Sequence, residues 1–177
     1  MLDTIALFNE MHPGFFEKEH IRNIPGDRVY EEMVLDLRAA RPALVEQVGD
    51  IRFGTWSGDI DALRAIVRRV EDGWPPIFKP GDEVYCGFDG DRIASFCLVE
   101  DMGAHQGAKF GGPGCVGTLP EYRRRGIGLR MVENVTRILQ DRGYDYSYIH
   151  YTGVAPWYAK LGYRTILRWN AKGLLGE

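Results

Sequence analysis

A chain of 177 residues holds one domain at a prior of about 150 residues each, and its 45% apolar, 27% charged and 12% aromatic composition is globular, neither disordered nor fibrous. With 22 basic against 25 acidic side chains, a formal charge of -3, the balance recruits neither nucleic acid nor an anionic membrane, so any anion must be held locally. The 22 glycines exceed the average of about 7% and crowd between residues 103 and 128.

The start, Met1-Leu2-Asp3-Thr4, has no basic region followed by an apolar one, and no apolar run reaches the eighteen or so residues that span a bilayer. The expectation is a soluble, cytoplasmic protein. Short helical patterns run from Thr4 to Met11 and from Phe15 to Ile24, broken by His12-Pro13-Gly14 and Pro25-Gly26. Glu31 to Leu37 alternates weakly, as a strand does, and Ile51 to Trp56 is a second strand candidate. Asp59 is a credible N-cap for a helix with Ile60, Leu63, Ile66, Val67 and Val70 on one face, stopped by Gly73 and Pro75-Pro76. Val84 to Phe88 and Ile93 to Val99 flank an Asp-Gly turn and read as a hairpin.

Cys115 to Thr118 reads as a short strand, preceded by a glycine-rich approach, Gly103 to Gly114, that predicts a flexible loop. A helix begins at Gly126, with Ile127, Met131, Val135, Ile138 and Leu139 inward and Gly143 as its stop. Tyr146 to Tyr151 predicts a strand, Ala155 to Leu161 a short helix and Tyr163 to Trp169 a final strand. The order predicts an α/β sandwich with a mixed sheet. Cys86, Cys97 and Cys115 are odd in number, lie in apolar stretches and form no CxxC pair, so they read as small buried hydrophobes, with no metal site expected.

Between strand and helix stands Arg123-Arg124-Arg125-Gly126-Ile127-Gly128. First-turn backbone N–H groups have no intrahelical acceptor, the helix dipole adds positive charge, and glycines let an oxygen approach, so the segment suits a pyrophosphate. Solvated arginines at an ordinary helix start are the competing reading. A Walker A loop is excluded because Leu129 and Arg130 follow Gly128, and a dinucleotide fingerprint because Met131 stands where its third glycine belongs.

The stretch Val116 to Gly128 resembles the acyl-CoA loop of the GNAT superfamily of N-acetyltransferases, with Arg123, Gly126 and Gly128 filling the signature Arg/Gln-x-x-Gly-x-Gly/Ala. Gly153 to Tyr163 is similar to the closing helix of that family, with the aromatic pair Trp157-Tyr158 followed by Gly162-Tyr163. The resemblance covers residues 84 to 169 and extends, less distinctly, to Ile51 to Val70. It implies a single GNAT-like domain over 51–177, its mixed, mostly antiparallel central sheet splayed between the fourth and fifth strands of the family, with helices on both faces. Residues 1–50 are expected to be an accessory N-terminal segment packed on that domain.

The resemblance also implies the chemistry: acetyl-CoA as co-substrate, and direct attack of a primary amine on its thioester, an acyltransferase reaction. Val116, Gly117 and Thr118 would contact the pantetheine arm, Gly117 forming a strand bulge. Arg124, Arg125, Gly126, Ile127, Gly128 and Leu129 would hold the pyrophosphate, with Arg123 chiefly orienting the loop. Tyr158 would protonate the leaving thiolate as general acid. Glu100 and His150 are the candidates for general base; a water chain is equally open, and His150, sharing a strand face with Tyr148, has a satisfied core histidine as its competing account. His105 has solvation as its plain reading. The family asparagine seven residues before the tyrosine is here Tyr151, a departure for which Thr152 or the local backbone can substitute.

Trp74, Phe78 and Asp101 are the candidate acceptor-binding residues, with Glu100 and Asp101 attracting a cationic amine. The expected acceptor is a small-molecule or peptide amine, with no nucleic acid or membrane partner. A homodimer stays among the expectations, since oligomeric state is not legible in the sequence. The rival reading is a non-catalytic acyl-CoA-binding sensor or interaction module.

Overall fold

The computed structural model describes residues 2–39 and 48–175; residue 1, 40–47 and 176–177 of the two expected segments lie outside the described residues. Among the described residues five α-helices, α1 (Thr4–Met11), α2 (Glu19–Arg22), α3 (Ile60–Arg68), α4 (Ile127–Asp141) and α5 (Ala155–Ala159), accompany eight strands. The strands are β1 (Tyr30–Asp36), β2 (Arg52–Thr55), β3 (Val84–Asp89), β4 (Arg92–His105), β5 (Ala108–Thr118), β6 (Tyr146–Thr152), β7 (Arg164–Asn170) and β8 (Gly173–Leu175). They form one sheet in the order β2-β3-β4-β5-β6-β1-β7-β8, antiparallel at every neighbouring pair except β5 and β6. No helix among the described residues is long and apolar enough to cross a membrane.

Alternation along the strands sorts side chains onto two faces. From β1, Met33 and Leu35 meet Met131, Val135 and Leu139 of α4 and Tyr158 of α5, whereas Val34 meets Leu7 of α1 with Phe110 and Tyr148. Beside the second group, Leu63 and Val67 of α3 pack on Cys86, Phe96 and Leu98. Asp59 caps α3 as its sequence position suggests, its Oδ2 accepting the Ala62 N–H at 2.8 Å.

The expected boundary at residue 50 does not fall outside the sheet. β1 lies between β6 and β7, with Val34 opposite Tyr148 on one side and Arg164 on the other, so part of the first fifty residues is an interior strand. Its apolar run Met33-Val34-Leu35 is buried on both faces, which is why its alternation reads weakly.

The glycine-rich approach is also corrected. Residues 103–114 are strand, because β4 and β5 form one long hairpin that turns at Gln106 and Gly107, both with positive φ (50° and 76°). Crowding accounts for the glycines. A Cβ at Gly111 would lie 2.8 Å from the Glu100 carbonyl oxygen, and one at Gly112 would overlap the Tyr148 carbonyl oxygen.

Candidate active site

β5 and β6 pair only at Phe110 with Tyr146 and Gly111 with Ser147, although β5 runs on to Thr118 and β6 to Thr152. Past those pairs the sheet opens into a cleft. The bulge beside it is displaced from the expected Gly117. Phe96 pairs with Gly117 and Leu98 with Gly114, so Cys115 and Val116 together oppose Cys97, and Cys115 takes φ 48°. Gly117 serves a different need: the Phe96 ring covers its Cα so closely that any Cβ there would collide with it.

At the open end of the cleft sits the N-terminus of α4. Gly126 is its N-cap in the left-handed region (φ 77°), no side chain caps the helix, and no acidic residue stands in its first turn. The first-turn N–H groups are therefore offered without a protein side-chain acceptor. Arg123, Arg124 and Arg125 are exposed around them, while Ile127 anchors the turn in the core with Leu119 and Tyr122. Arg123 donates from Nε to the Thr118 carbonyl at 3.1 Å, which ties the loop to the end of β5, and the Arg125 guanidinium lies 5.4 Å from the Tyr122 ring centre. Gly128 permits close packing, since a Cβ there would be 3.0 Å from Thr118 Oγ1 and 3.3 Å from the Trp157 ring. Leu129 packs partly buried against the main core.

Tyr158 is 7% exposed in α5, edge-on to Trp157, and packed in the same cluster as Val116 and Cys97. Burial pushes its hydroxyl well above the ordinary phenol range, with Tyr163, Cys97 and Cys115 adding to the effect, so it holds its proton at neutral pH. The Cys115 thiol beside it is pushed up to about 12, first by burial and then by Glu100. The bulge therefore lies within electrostatic reach of both Tyr158 and Glu100. All three cysteines are free thiols, Cys86 and Cys97 fully buried and Cys115 partly so.

On the opposite face of the sheet a cavity of about 750 Å³ opens between β4, β6 and the end of α1. Glu100, Asp101, His105 and His150 line it, with Glu10, His12, Asp82 and Glu83. A Cβ at Gly114 would lie 2.5 Å from the Glu100 carboxyl, so that carboxyl rests on the β5 backbone next to the bulge. Burial raises the Glu100 pKa, Asp82 raises it further and His150 opposes them. His105 bonds the Met102 carbonyl through Nε2 at 2.9 Å and stands 3.5 Å from Glu10, so it is held in the cavity wall and not merely solvated.

The structure places the three candidate acceptor residues differently. Asp101 lines the cavity, but Phe78 is fully buried against Phe96, with its carbonyl accepting from Arg64 at 2.7 Å and 2.9 Å. Its neighbours Ile77 and Lys79 reach the cavity instead. Trp74 packs against the α3 cluster and is not part of the cavity wall. Tyr151, at the family asparagine position, takes φ 58° and packs edge-on to Tyr30 and Trp169. Thr152 Oγ1 accepts the Val154 N–H at 3.1 Å and so shapes the turn into α5.

Two residues that surround His150 went unread in the sequence. Glu32 is 0% exposed, and its carboxylate accepts from His150 Nδ1, the Tyr151 N–H and Trp169 Nε1. His12 stacks on His150 with ring centres 3.8 Å apart. Donor atoms of His12, Glu32 and His150 lie within 4.8 Å of one another, the spacing of a possible metal site, but hydrogen bonds already occupy His150 Nδ1 and both carboxylate oxygens. A carboxylate in a run that alternates apolar and acidic residues carried no signal that would separate Glu32 from Glu31.

The molecule is thus an α/β domain whose sheet opens between two parallel strands, with an uncapped helix N-terminus at the mouth of the opening. Residues 80–165 match the family model described as Acetyltransferase (GNAT) domain. The match spans just under half of the chain, and the chain has the fold of that domain. Similar solved structures include the GCN5-related glucosamine N-acetyltransferase region of a fungal multi-domain GH3 β-N-acetylglucosaminidase, at 19% identity and TM-score 0.67 over 81% of this chain and 20% of that one. The GCN5-related N-acetyltransferase from Sphaerobacter thermophilus aligns at 18% identity and TM-score 0.62 over 94% of this chain and 54% of that one. The protein of the same description from Kribbella flavida aligns at 16% and 0.57, over 89% and 62%. This chain thus spans less than two thirds of the length of each of these. No curated protein matches the sequence.

Glu100 carries a pH-dependent consequence. Its folded pKa is raised, so its contribution to stability is fully present below the unfolded value and is lost as pH rises through the folded pKa. Glu100→Gln, which never ionises, is expected to raise Tm at about pH 8 and to leave it unchanged at about pH 4, where both side chains are neutral. Thermal melts at the two pH values check this; an equal difference at both contradicts it.

Proposed function

We propose that the protein transfers an acetyl group from acetyl-CoA to a primary amine that enters through the carboxylate-lined cavity. The observation that carries this reading is the uncapped N-terminus of α4 at the mouth of the β5/β6 cleft, on the far side of the sheet from that cavity. Backbone N–H groups of Gly126 to Leu129 and the charge of Arg124 and Arg125 would hold the pyrophosphate, and unpaired β5 backbone near Val116 to Thr118 the pantetheine arm. Four carboxylates, Glu10, Asp82, Glu100 and Asp101, against Lys79, with Glu83 paired to Arg142, favour a cationic acceptor, a small-molecule amine or a peptide amino terminus. They disfavour nucleic acid.

In the reaction the ammonium gives a proton to a base in the cavity, and the freed amine attacks the thioester carbonyl. The C–N bond forms, the C–S bond breaks, the thiolate takes a proton from the Tyr158 hydroxyl, and the second proton of the attacking nitrogen leaves to give the amide and restores that hydroxyl. The sum is ammonium and thioester to amide, thiol and one proton. A phenol held above its ordinary pKa is a reluctant acid, yet the same burial acts on any thiolate formed there. Cys115, with its thiol at about 12, reports that thiolates are strongly basic at this spot.

The loop is tested by Gly126→Val. A β-branched residue at φ 77° is strained, and its side chain would crowd the cradle, where a Cβ already meets Val48 at 3.2 Å. The expected result by calorimetry is a loss of at least about tenfold in CoA affinity, which corresponds to about 1.4 kcal/mol. Unchanged affinity in a folded variant removes the pyrophosphate assignment.

A further inference from the structure

The cavity wall contains an assembly that the reading above does not use. Glu32 on β1 has no exposed surface, and a buried carboxylate is tolerated only where donors satisfy it. Its donors are three N–H groups: Trp169 Nε1 at 2.7 Å, His150 Nδ1 at 2.9 Å and the Tyr151 backbone at 3.2 Å. Trp169 and the Tyr151 N–H both donate to Oε1, Oε2 meets His150 Nδ1, and an ionised carboxylate only accepts, which assigns the hydrogen of His150 to Nδ1. Nε2 then carries the lone pair. The His150 side chain is 28% exposed and lines the cavity while Glu32 is wholly enclosed, so the exposed part of the ring is the part away from Nδ1.

His12, at the end of α1, covers the other side of this imidazole. The rings are nearly parallel, at 16° and 3.8 Å, and Phe15 meets His150 edge-on at 5.2 Å. His12 itself is held neutral, its pKa lowered to about 3 by burial first and then by His150, Lys18 and His105. A neutral ring over the imidazole excludes water from one face without adding a standing charge. The other titratable groups that face His150 are Glu32 from β1, Glu100 from β4 and Tyr151 from its own strand, while Tyr148 meets His12.

We infer that Glu32 is the positioning residue for His150, fixing the Nδ1–H tautomer so that Nε2 faces the cavity as the base that deprotonates the acceptor ammonium, with His12 as its cover. This rests on the acetyl-transfer reading above and deepens it. Of the two candidate bases it assigns the role to His150 and leaves Glu100 as an electrostatic attractor. The proton passes from the ammonium nitrogen to Nε2 and then to solvent through the cavity mouth; no other co-reactant is needed. It also gives the first fifty residues a purpose, because Glu32 and His12 both come from them.

Two measurements on the full chain test it. The first is independent of activity: long-range ¹H–¹⁵N correlation of the histidine rings should show His150 with its proton on Nδ1 in the wild type and on Nε2 in Glu32→Gln, whose amide can donate to Nδ1. An Nε2–H tautomer in the wild type overturns the inference even if the protein acetylates amines. The second is the pH–rate profile with acetyl-CoA and a diamine. Glu32→Gln is expected to lower kcat about 100-fold at every pH where the wild type turns over, with KM for acetyl-CoA within about twofold. An unchanged profile overturns the inference, as does a stoichiometric metal ion retained on His12, Glu32 and His150 and required for turnover. Should Glu32→Gln fail to fold, the wild-type tautomer decides alone. If no amine is turned over while the Nδ1–H tautomer stands, the failure lies with the acetyl-transfer reading.

Discussion

Replacing Tyr158 by Phe is expected to lower kcat for amine acetylation by about 10² to 10³, with acetyl-CoA affinity unchanged within about twofold. The hydroxyl is the only atom removed, and the ring that packs against Trp157 and the Cys97 cluster stays in place. Because burial keeps this hydroxyl protonated throughout the neutral range, its loss should be felt at every working pH and should not shift the profile. Thiol release from acetyl-CoA gives the rate and calorimetry the affinity. A parallel fall in both would instead assign Tyr158 to packing or cofactor binding.

Gly112→Ala is the substitution expected to cost most stability, about 3 kcal/mol or more, with failure to fold at the far end. The added methyl would overlap the Tyr148 carbonyl oxygen, and the opposing atoms are backbone on β6 that no rotamer change can move. β5 and β6 would have to separate where their two ladder pairs, Phe110 with Tyr146 and Gly111 with Ser147, hold the closed end of the cleft. Gly73→Ala is the matched control, since nothing lies within 4 Å of a Cβ there. Urea unfolding of the two variants should separate them by most of the stated cost; equal midpoints would mean that the cleft's closed end tolerates separation.

These glycines show where reading the sequence succeeds and where it stops. Helix periodicity placed α3 and α4 well, with Asp59 as cap, Gly126 as the residue at the helix start and Gly143 beyond its end, because those signals are local. The arginine-glycine segment at the start of α4 was legible for the same reason: a helix terminus, its glycines and its arginines are contiguous. Gly111, Gly112 and Gly114 look like loop composition along the chain, yet each is small because another element approaches it, and that approach is visible only in three dimensions. Phe78 was misplaced in the same way, since an aromatic beside prolines at a presumed rim is turned into the core against Phe96. The partnership of Glu32 with His150 spans 118 residues, and no local pattern announces it. The accessory view of the first fifty residues gave way for a related reason: β1 enters the sheet between two strands that follow it by more than a hundred positions.

The most direct test of acetyl transfer is thiol release from acetyl-CoA by the purified protein across a panel of cationic amines and a peptide with a free amino terminus. The account predicts turnover that saturates with both substrates, favours amines of higher positive charge, and is nearly abolished in Tyr158→Phe. Tight CoA binding with no thiol release on any amine would contradict it and leave a cofactor-binding module.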